Sequence, residues 1–268
     1  MVESSGLSHI GPVREDNQDS IHLTDGLQQP GANRLFAVAD GMGGYSHGAI
    51  ASSTAIEKMV ECLGPEDARL NPRRFQQGVE LANMTVYRKA QQLGVGRMGT
   101  TLTAAFISGE DLHLIHIGDC RAYLVREGRA ICLTSDHTAV GDLVRAKLIP
   151  PEKVRTHAQR SILTRAIGIS LFVRPEILRI KLQKHDHLIL CSDGLWSVIQ
   201  DHEFAQAVKD SLSIDQVSQR LVDLALQRAT DDNASVVAVH IRELHPQIMG
   251  PQEPVKTGWF PGWKKRAK

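Results

Sequence analysis

The order of secondary-structure signals along the chain predicts an α+β fold, in which antiparallel sheets carry helices on their outer faces. Strand-like runs come first, a pair of amphipathic helices follows, a second group of strands comes next, and further helices precede a last strand. A doubly wound parallel sheet would instead alternate strands and helices along its length. These signals stop near Ile241, so we assign residues 1–241 to one globular domain.

The first two helices are placed by the spacing of their apolar residues and by signals at their ends. Residues 48–64 stop at Gly64 and repeat an apolar side chain at helical spacing, at Ala51, Ala55, Met59 and Cys62. Residues 71–94 open with Asn71, a residue type that caps helices, and with Pro72 at the first helical position. Both segments are therefore predicted to be amphipathic α-helices.

Short apolar runs separated by brief turns predict the strands. These runs cover residues 20–24, 34–40, 100–108, 111–119, 121–127 and 129–134, then a segment that ends at Cys191, and finally residues 234–241. Helical patterns account for most of the remainder, and they cover residues 138–148, 201–210 and 213–229.

Composition excludes several classes of protein. The 268 residues are 42% hydrophobic and 23% charged, with a formal net charge of +1, so bulk electrostatics does not indicate a nucleic-acid partner. No run reaches the roughly 18 apolar residues of a membrane span, and the N-terminus lacks the pattern of a signal peptide. The four cysteines have neither zinc nor disulfide spacing. We therefore expect a cytoplasmic protein, and we expect a monomer.

Residues 242–268 differ in composition from the globular part. They hold four of the 11 prolines and show no periodicity, which predicts a tail without regular structure. The stretch "TGWFPGWKKRAK" places two of the three tryptophans beside basic residues. That combination is typical of a segment that docks on a partner or a membrane interface. Because Gly and Pro interrupt any helix here, we interpret the tail as a disordered segment with a candidate docking motif for a partner.

Carboxylates recur where the apolar strands end. The run "RLFAVAD" stops at Asp40, "LHLIHIGD" stops at Asp119, "HLILCSD" stops at Asp193, and the last strand is preceded by Asp231 and Asp232. A further polar cluster before the first predicted strand supplies Arg14, Glu15, Asp16 and Asp19. One Asp-Gly after a strand is usually a turn, whereas the recurrence favours a shared site.

Carboxylates that meet at one edge of a fold repel one another, and cations resolve the conflict. Oxygen ligands without a nearby Cys or His pattern are typical of Mg²⁺ or Mn²⁺ rather than zinc. Two such ions about 3.5–4 Å apart can activate water against a phosphoester. Gly41, directly after Asp40, lets the backbone come close enough for its carbonyl to bind an ion.

Two other patterns are excluded as sites. "GVGRMG" matches the dinucleotide motif G-x-G-x-x-G, but that motif needs a strand before it and a helix after it. Here a helix precedes the motif and a strand follows it. The histidine pairs His113/His116 and His185/His187 have no Cys or carboxylate cluster at zinc spacing, so we interpret them as surface or edge-strand residues.

Eight motifs occur in a fixed order within residues 4–241: "VREDNQDS", "FAVADGMGG", "RMGTTLTAA", "IHIGDCRAYLVR", "LTSDHT", "ILTRAIG", "LILCSDGLW" and "DDNASVVAV". In this order they resemble the metal-dependent serine/threonine protein phosphatases of type 2C (the PPM family), most closely the bacterial branch. The resemblance implies a central β-sandwich of two antiparallel sheets flanked by helices on both faces, a four-layer α-β-β-α arrangement. It also implies phosphorylated proteins as substrates and a cognate Ser/Thr kinase that the enzyme opposes.

The resemblance assigns ligands for two Mn²⁺ or Mg²⁺ ions. Asp40 would bridge the ions and the Gly41 carbonyl would bind one of them, while Asp193 and Asp232 would complete the shell of the first ion. The nucleophile would be the bridging water or hydroxide, and no phosphoenzyme is expected.

The resemblance assigns further roles around these ions. Asp19 and Gln18 would orient metal-bound waters, Asp119 would hold a weaker third ion, and Arg14 would clamp the substrate phosphate through its planar guanidinium. Residues 138–162 correspond to a mobile flap in relatives. His137, at the entrance to this segment, is either a residue that shapes the substrate site or an ordinary helix-start residue.

Three positions depart from the pattern of relatives. Gln18 replaces a Glu found in some of them, Met42 replaces the eukaryotic His thought to act as general acid, and Ser197 replaces an Asp that helps hold the third ion. These departures motivate an alternative, a catalytically weak pseudophosphatase that serves as a regulatory binding module. A second alternative is a phosphatase dedicated to a single regulator protein.

Overall fold

The computed structural model describes residues 2–24, 34–44, 46–63 and 72–244. Its strands are β1 (Val2–His9), β2 (Asp19–Leu23), β3 (Arg34–Met42), β4 (Gly99–Thr100), β5 (Leu102–Ser108), β6 (Asp111–Ile117), β7 (Arg121–Arg126), β8 (Arg129–Cys132), β9 (Glu176–Lys181), β10 (His187–Cys191) and β11 (Ala234–Ile241). Its helices are α1 (His47–Leu63), α2 (Pro72–Leu93), α3 (Ala139–Arg145), α4 (Asp193–Trp196), α5 (Asp201–Lys209) and α6 (Ile214–Gln227), with one 3₁₀ helix, Pro151–Thr156.

The strands form two antiparallel sheets. The first sheet has the order β1-β11-β10-β7-β8, and the second has the order β2-β3-β5-β6-β9, with the two-residue strand β4 paired to β3. Every strand pairing in the described part of the chain is antiparallel.

Alternation along β3 shows how the second sheet is covered on both faces. Phe36 and Val38 are buried in the core between the two sheets. Leu35, Ala37 and Ala39 point the other way and pack with buried residues of α1 and α2. Successive side chains of a strand point to opposite faces, so an unbroken apolar run is what a doubly covered strand requires.

The first sheet repeats this arrangement with α5 and α6. Tyr123 and Ile189 pack against those helices, whereas Leu124 and Leu188 face the second sheet. The order of layers is therefore helices, sheet, sheet, helices. The predicted four-layer α-β-β-α sandwich is confirmed.

Most predicted elements are present with small shifts at their ends. The predicted strand 100–108 is divided at Thr101 between β4 and β5, and the predicted helix 138–148 is the shorter α3. Sequence patterns do not predict β1 or β9, which both lie at sheet edges. The helix-end signals at Gly64 and Asn71, and the tail after Leu244, lie outside the described residues. Within the described ranges, no helix has the length and apolar character needed to cross a bilayer.

Candidate active site

Five aspartates meet at one end of the sandwich, where strands of both sheets end. Asp19 begins β2 and pairs in register with Asp40, near the end of β3. Asp119 follows β6, Asp193 follows β10, and Asp232 precedes β11. The other four carboxylates all lie close enough to Asp40 to raise its pKa by repulsion. The structure therefore brings together the carboxylates that the sequence places at strand ends.

Burial is the largest cause of the shifted pKa values in this cluster. Burial raises the pKa of Asp40 well above its ordinary value, and repulsion from Asp19 and Asp193 raises it further. The pKa of Asp193 rises to about 7 through burial and then through repulsion from Asp232. Carboxylates in this situation need either a proton or a cation to offset their mutual repulsion.

Ser192 connects the two sheets at this edge. Its hydroxyl donates a hydrogen bond to Asp19 Oδ2 at 2.8 Å and accepts one from the backbone N–H of Ser235 at 3.0 Å. Burial raises the pKa of Asp19 to about 7, and hydrogen bonds from Ser235 and Ser192 oppose that rise. A serine at the end of a strand in the first sheet thus fixes an aspartate of the second sheet.

Asn233 fastens the N-terminal loop to the start of β11. Its Nδ2 donates to the carbonyls of Ile10 and Asp16 at 2.8 and 3.0 Å, and its Oδ1 accepts from the backbone N–H of Gln18 at 2.9 Å. The side chain is almost fully buried, with 5% exposed. Asn233 follows Asp232 directly, so these bonds set the position of that carboxylate relative to the loop.

The donor set fits a hard divalent cation. Asp193 Oδ1 is buried and, among the described residues, is the side-chain oxygen without a hydrogen-bond partner; an unpaired buried carboxylate oxygen is costly. Among the described residues, no three His, Cys, Asp or Glu side chains are placed so that they could hold one ion. This differs from the shell of Asp40, Asp193 and Asp232 that the resemblance assigns to the first ion, so carbonyls and waters would have to complete the coordination. A Cβ on Gly41 would lie 2.0 Å from the Gly48 carbonyl oxygen, so only glycine fits there.

Comparison with known proteins identifies the family. The family model described as Protein phosphatase 2C matches residues 5–229, which is more than four fifths of the chain. The chain belongs to the protein phosphatase 2C family.

Bacterial relatives of this phosphatase 2C family member cover almost all of it. It is 33% identical over 266 residues to the serine/threonine protein phosphatase PstP of Mycobacterium tuberculosis, covering 98% of this chain and 49% of that protein. It is 31% identical over 245 residues to the protein phosphatase PhpP of Streptococcus pneumoniae, covering 90% of this chain and 98% of that protein.

A solved structure with the same fold contains metal. The catalytic domain of PstP in complex with two manganese ions superposes with a TM-score of 0.80 and 30% identity, covering 90% of this chain and 99% of that one.

Arg14 lies at the mouth of the aspartate cluster. Its Nη2 donates to Asp232 Oδ2 at 2.7 Å and its Nε to the Asp231 carbonyl at 3.2 Å. The Arg14 side chain is 53% exposed. Burial lowers the pKa of Arg14, but the charges of Asp232, Asp193 and Asp40 outweigh this and raise it. The guanidinium is therefore a fixed positive charge next to a predicted metal ligand, and its role as a phosphate clamp stays a prediction.

Asp119 is supported by groups that sequence reasoning missed. The indole N–H of Trp196 donates to the Asp119 carbonyl at 2.8 Å, and the Arg121 guanidinium lies 3.7 Å from the centre of the Trp196 ring. Arg121 in turn makes two bonds to the carboxylate of Asp136, at 2.9 and 2.7 Å. Ser197, which replaces the expected Asp, lies one helical turn after Asp193 and donates its backbone N–H to the Asp193 carbonyl.

His137 is 1% exposed and holds the turn before Asp119. Its backbone N–H donates to the Gly118 carbonyl at 2.7 Å, and its Nδ1 accepts from the Gly118 N–H at 3.1 Å. Its ring packs on His116, with 4.7 Å between ring centres. These contacts are those of a positioning residue, and a direct part for His137 in the substrate site stays a prediction.

The predicted flap segment approaches the cluster from outside. It contains α3 and the 3₁₀ helix, and Arg160 Nη2 lies 3.7 Å from Asp231 Oδ2. Near the predicted metal ligands, the Gln18 carbonyl accepts from the Gly41 N–H at 3.1 Å, and Met42 pairs with Gly99 of β4. Gln18 and Met42 therefore lie at the predicted site.

The "GVGRMG" stretch lies between α2 and β4, the context that excludes a dinucleotide motif.

Proposed function

We propose that this protein hydrolyses phosphoserine and phosphothreonine in other proteins, with a water activated at a binuclear Mn²⁺ or Mg²⁺ centre. The observation that carries the proposal is the buried, unpaired Oδ1 of Asp193 within a cluster of five aspartates. Such a cluster is unfavourable unless cations or protons offset its charge, and cations also give the unpaired oxygen a partner. When bound, the ions supply an activated water and neutralise charge on the phosphate.

Different residues would bind the ions, orient the phosphate and orient the water. Asp40, Asp193 and Asp232 would hold the ions, because their carboxylates come from three strand ends and converge. Arg14 would orient the phosphate, since its half-exposed guanidinium is already placed at the mouth by Asp232. Asp19, fixed by Ser192, would orient water on the second ion.

Relatives support both the reaction and the metal. PstP and PhpP are named as protein phosphatases, and the PstP catalytic domain has been solved with two manganese ions. The proposal extends that activity and metal requirement to this chain. A third ion next to Asp119 is a weaker proposal, because Ser197 supplies a hydroxyl where an additional carboxylate would be needed.

The direct test is hydrolysis of a phosphothreonine peptide by the purified protein with Mn²⁺, with EDTA, and for the variant Asp193→Asn. We expect activity that requires Mn²⁺ and falls at least about 100-fold in the variant, because several kcal/mol of charge stabilisation are lost. Asp223→Asn, an exposed change on α6, is the matched control and should leave activity unchanged. Folded protein that binds Mn²⁺ yet shows no turnover would favour the regulatory pseudophosphatase instead.

Finer proposals concern the cellular setting. We propose that the enzyme opposes a cognate Ser/Thr kinase in the cytoplasm and acts as a monomer. Composition and the family relationship support these points. Comparing turnover of several phosphopeptides with turnover of phosphorylated proteins would distinguish a general phosphatase from one dedicated to a single regulator.

A further inference from the structure

An exposed apolar cleft lies between α2 and the segment that leads into β9. Its volume is about 850 Å³. Phe172 is 90% exposed and Leu171 is 51% exposed. We call this surface the Phe172 patch, and its apolar members are Met84, Leu171, Phe172, Val173 and Ile177. Contiguous exposed apolar surface of this kind marks an interaction site more often than a chance exposure.

The loop that carries the Phe172 patch is held in place from below. Asn83, only 1% exposed, donates from Nδ2 to the carbonyls of Ser170 and Leu171 at 2.9 and 3.0 Å. Its Oδ1 accepts from the N–H of Gly168 at 2.8 Å. Gly168 has a φ of +85°, and a Cβ there would lie 2.3 Å from Val86. A buried amide with three bonds to one loop therefore fixes the backbone that carries the exposed side chains.

The loop that carries the Phe172 patch begins beside the strand end that carries Asp40. Ile167 and Thr100 exchange two backbone hydrogen bonds, at 2.8 and 3.0 Å. The Thr100 hydroxyl donates to the Asp40 carbonyl at 2.9 Å. Only four residues therefore separate Phe172 of the loop from Ile167, which contacts the strand end that carries Asp40.

The chain continues beyond its described part with a segment suited to such a surface. Residues 245–268 contain three aromatic residues, Trp259, Phe260 and Trp263, together with five basic residues and one acidic residue. The cleft is lined by one carboxylate, Glu80, and one guanidinium, Arg174, so its attraction for this segment is apolar rather than electrostatic. Tryptophan and phenylalanine bury large apolar areas, so the aromatic side chains of this segment are suited to cover the exposed apolar lining of the cleft.

The segment starts close enough to reach the patch. The Ile241 N–H donates to the Asp186 carbonyl at 2.9 Å, so β11 ends beside the turn that follows β9. The patch lies at the other end of β9, five residue steps or roughly 17 Å away. Trp259 is 15 residues beyond Leu244, and those residues can span up to roughly 50 Å. A tether of this length gives an effective concentration in the millimolar range.

We propose that residues 245–268 dock intramolecularly on the Phe172 patch through Trp259, Phe260 and Trp263. In this arrangement the tail covers the exposed apolar surface. This proposal is independent of the proposed phosphatase activity, because it concerns only where the tail lies.

Acrylamide quenching of tryptophan fluorescence in the full chain tests the proposal. Trp196 is 1% exposed and contributes a shielded background, which a chain ending at Leu244 measures separately. Docking predicts a quenching constant for Trp259 and Trp263 at least about threefold below that of a free 245–268 peptide. Phe172→Asp should raise it to the peptide value, whereas Leu212→Asp, at an equally exposed position on another face, should not.

Two controls accompany the quenching experiment. Circular dichroism should show that both variants are folded, and a second patch variant, Leu171→Asp, should reproduce the effect of Phe172→Asp.

The dependence on protein concentration distinguishes the tail of the same chain from a second copy as the occupant of the patch. Protection that does not change with protein concentration supports intramolecular docking. Protection that appears only as concentration rises would assign the patch to a second copy of the chain and overturn the proposal. Equal quenching constants in the parent protein and the free peptide would also overturn it.

Discussion

Asp193 combines two features that oppose folding. Its carboxylate is buried, with one oxygen that has no hydrogen-bond partner among the described residues, and it is repelled by Asp232. The free-energy cost of burying an unpaired charge is far larger than the stabilisation that an aspartate gives to an ordinary turn. A cation that binds Asp193 would remove both penalties, whereas a proton would remove only the repulsion.

Asn233 supports this site through bonds rather than charge. Replacing it with alanine leaves the Ile10 and Asp16 carbonyls and the Gln18 N–H without their partner. We expect Asn233→Ala to lower the free energy of unfolding by roughly 2–4 kcal/mol, since each buried polar group left unsatisfied costs about 1 kcal/mol or more. Urea denaturation of the parent protein and the variant measures this difference.

The same variant should also weaken metal binding, because Asp232 loses its fixed relation to the N-terminal loop. Mn²⁺ titration by calorimetry checks this second effect. Gln219→Ala, an exposed change on α6, is the control and should change stability by no more than about 0.5 kcal/mol. Unchanged stability of Asn233→Ala would show that water replaces the lost bonds.

At the scale of elements, α2 packs on the second sheet partly through a histidine. The ring of His113 on β6 lies 5.3 Å from the ring of Phe75 on α2. Burial, followed by the charge of Arg179, lowers the pKa of His113 to about 4; Asp111 partly opposes this and Lys181 adds to it. The folded protein therefore keeps this side chain neutral at pH values where the unfolded chain protonates it.

This difference makes the packing of α2 sensitive to acid. Between about pH 6.5 and pH 4 the unfolded chain binds the extra proton, so stability falls as pH falls, by roughly 2–3 kcal/mol from this group. Below the folded pKa both states are protonated and the contribution stops changing. We expect His113→Gln to make the stability profile less steep over this range, measured by urea denaturation at several pH values, while His116 and His187 keep their own contributions. His202→Gln, at an exposed position, should keep the slope of the parent protein.

The elements differ in how well sequence alone predicts them, and the reason is where their stabilising contacts come from. β3 is predicted because Leu35 to Ala39 form an apolar run that both faces bury. β1 contains Ser4, Ser5 and Gly6, which have little strand propensity, and it becomes a strand by pairing along its whole length with β11. Pairing of residues more than 200 positions apart leaves no local signal.

The residues of the candidate site also differ in whether the sequence predicts them. Asp40, Asp119, Asp193 and Asp232 are predictable, because a carboxylate at the end of an apolar strand is unusual within a short window of sequence. Ser192 and the other supporting residues act through partners far along the chain, such as Asp19. Their residue types are common in turns and cores, so the sequence offers no reason to single them out.

At the scale of the whole molecule, the aspartate cluster contains residues of both sheets, so its charge affects the stability of the sandwich at that end. Strand ends of the first sheet supply Asp193 and Asp232, and those of the second supply Asp19, Asp40 and Asp119. Any negative charge on these side chains repels across the two sheets, and a cation bound between them would offset that repulsion. Metal binding should therefore stabilise the entire fold as well as enable chemistry.

Thermal unfolding with and without Mn²⁺ tests this coupling. Mn²⁺ at about 100 times its dissociation constant should add about 2.7 kcal/mol to the free energy of unfolding, and EDTA should remove that gain. Asp193→Asn should raise the stability of the metal-free protein, because it removes one repelling charge, and should lose most of the gain from Mn²⁺. Asp223→Asn should respond to Mn²⁺ like the parent protein. If Asp193→Asn instead destabilises the metal-free protein, repulsion at this edge is not what limits the fold, and the cluster is already neutralised by protons.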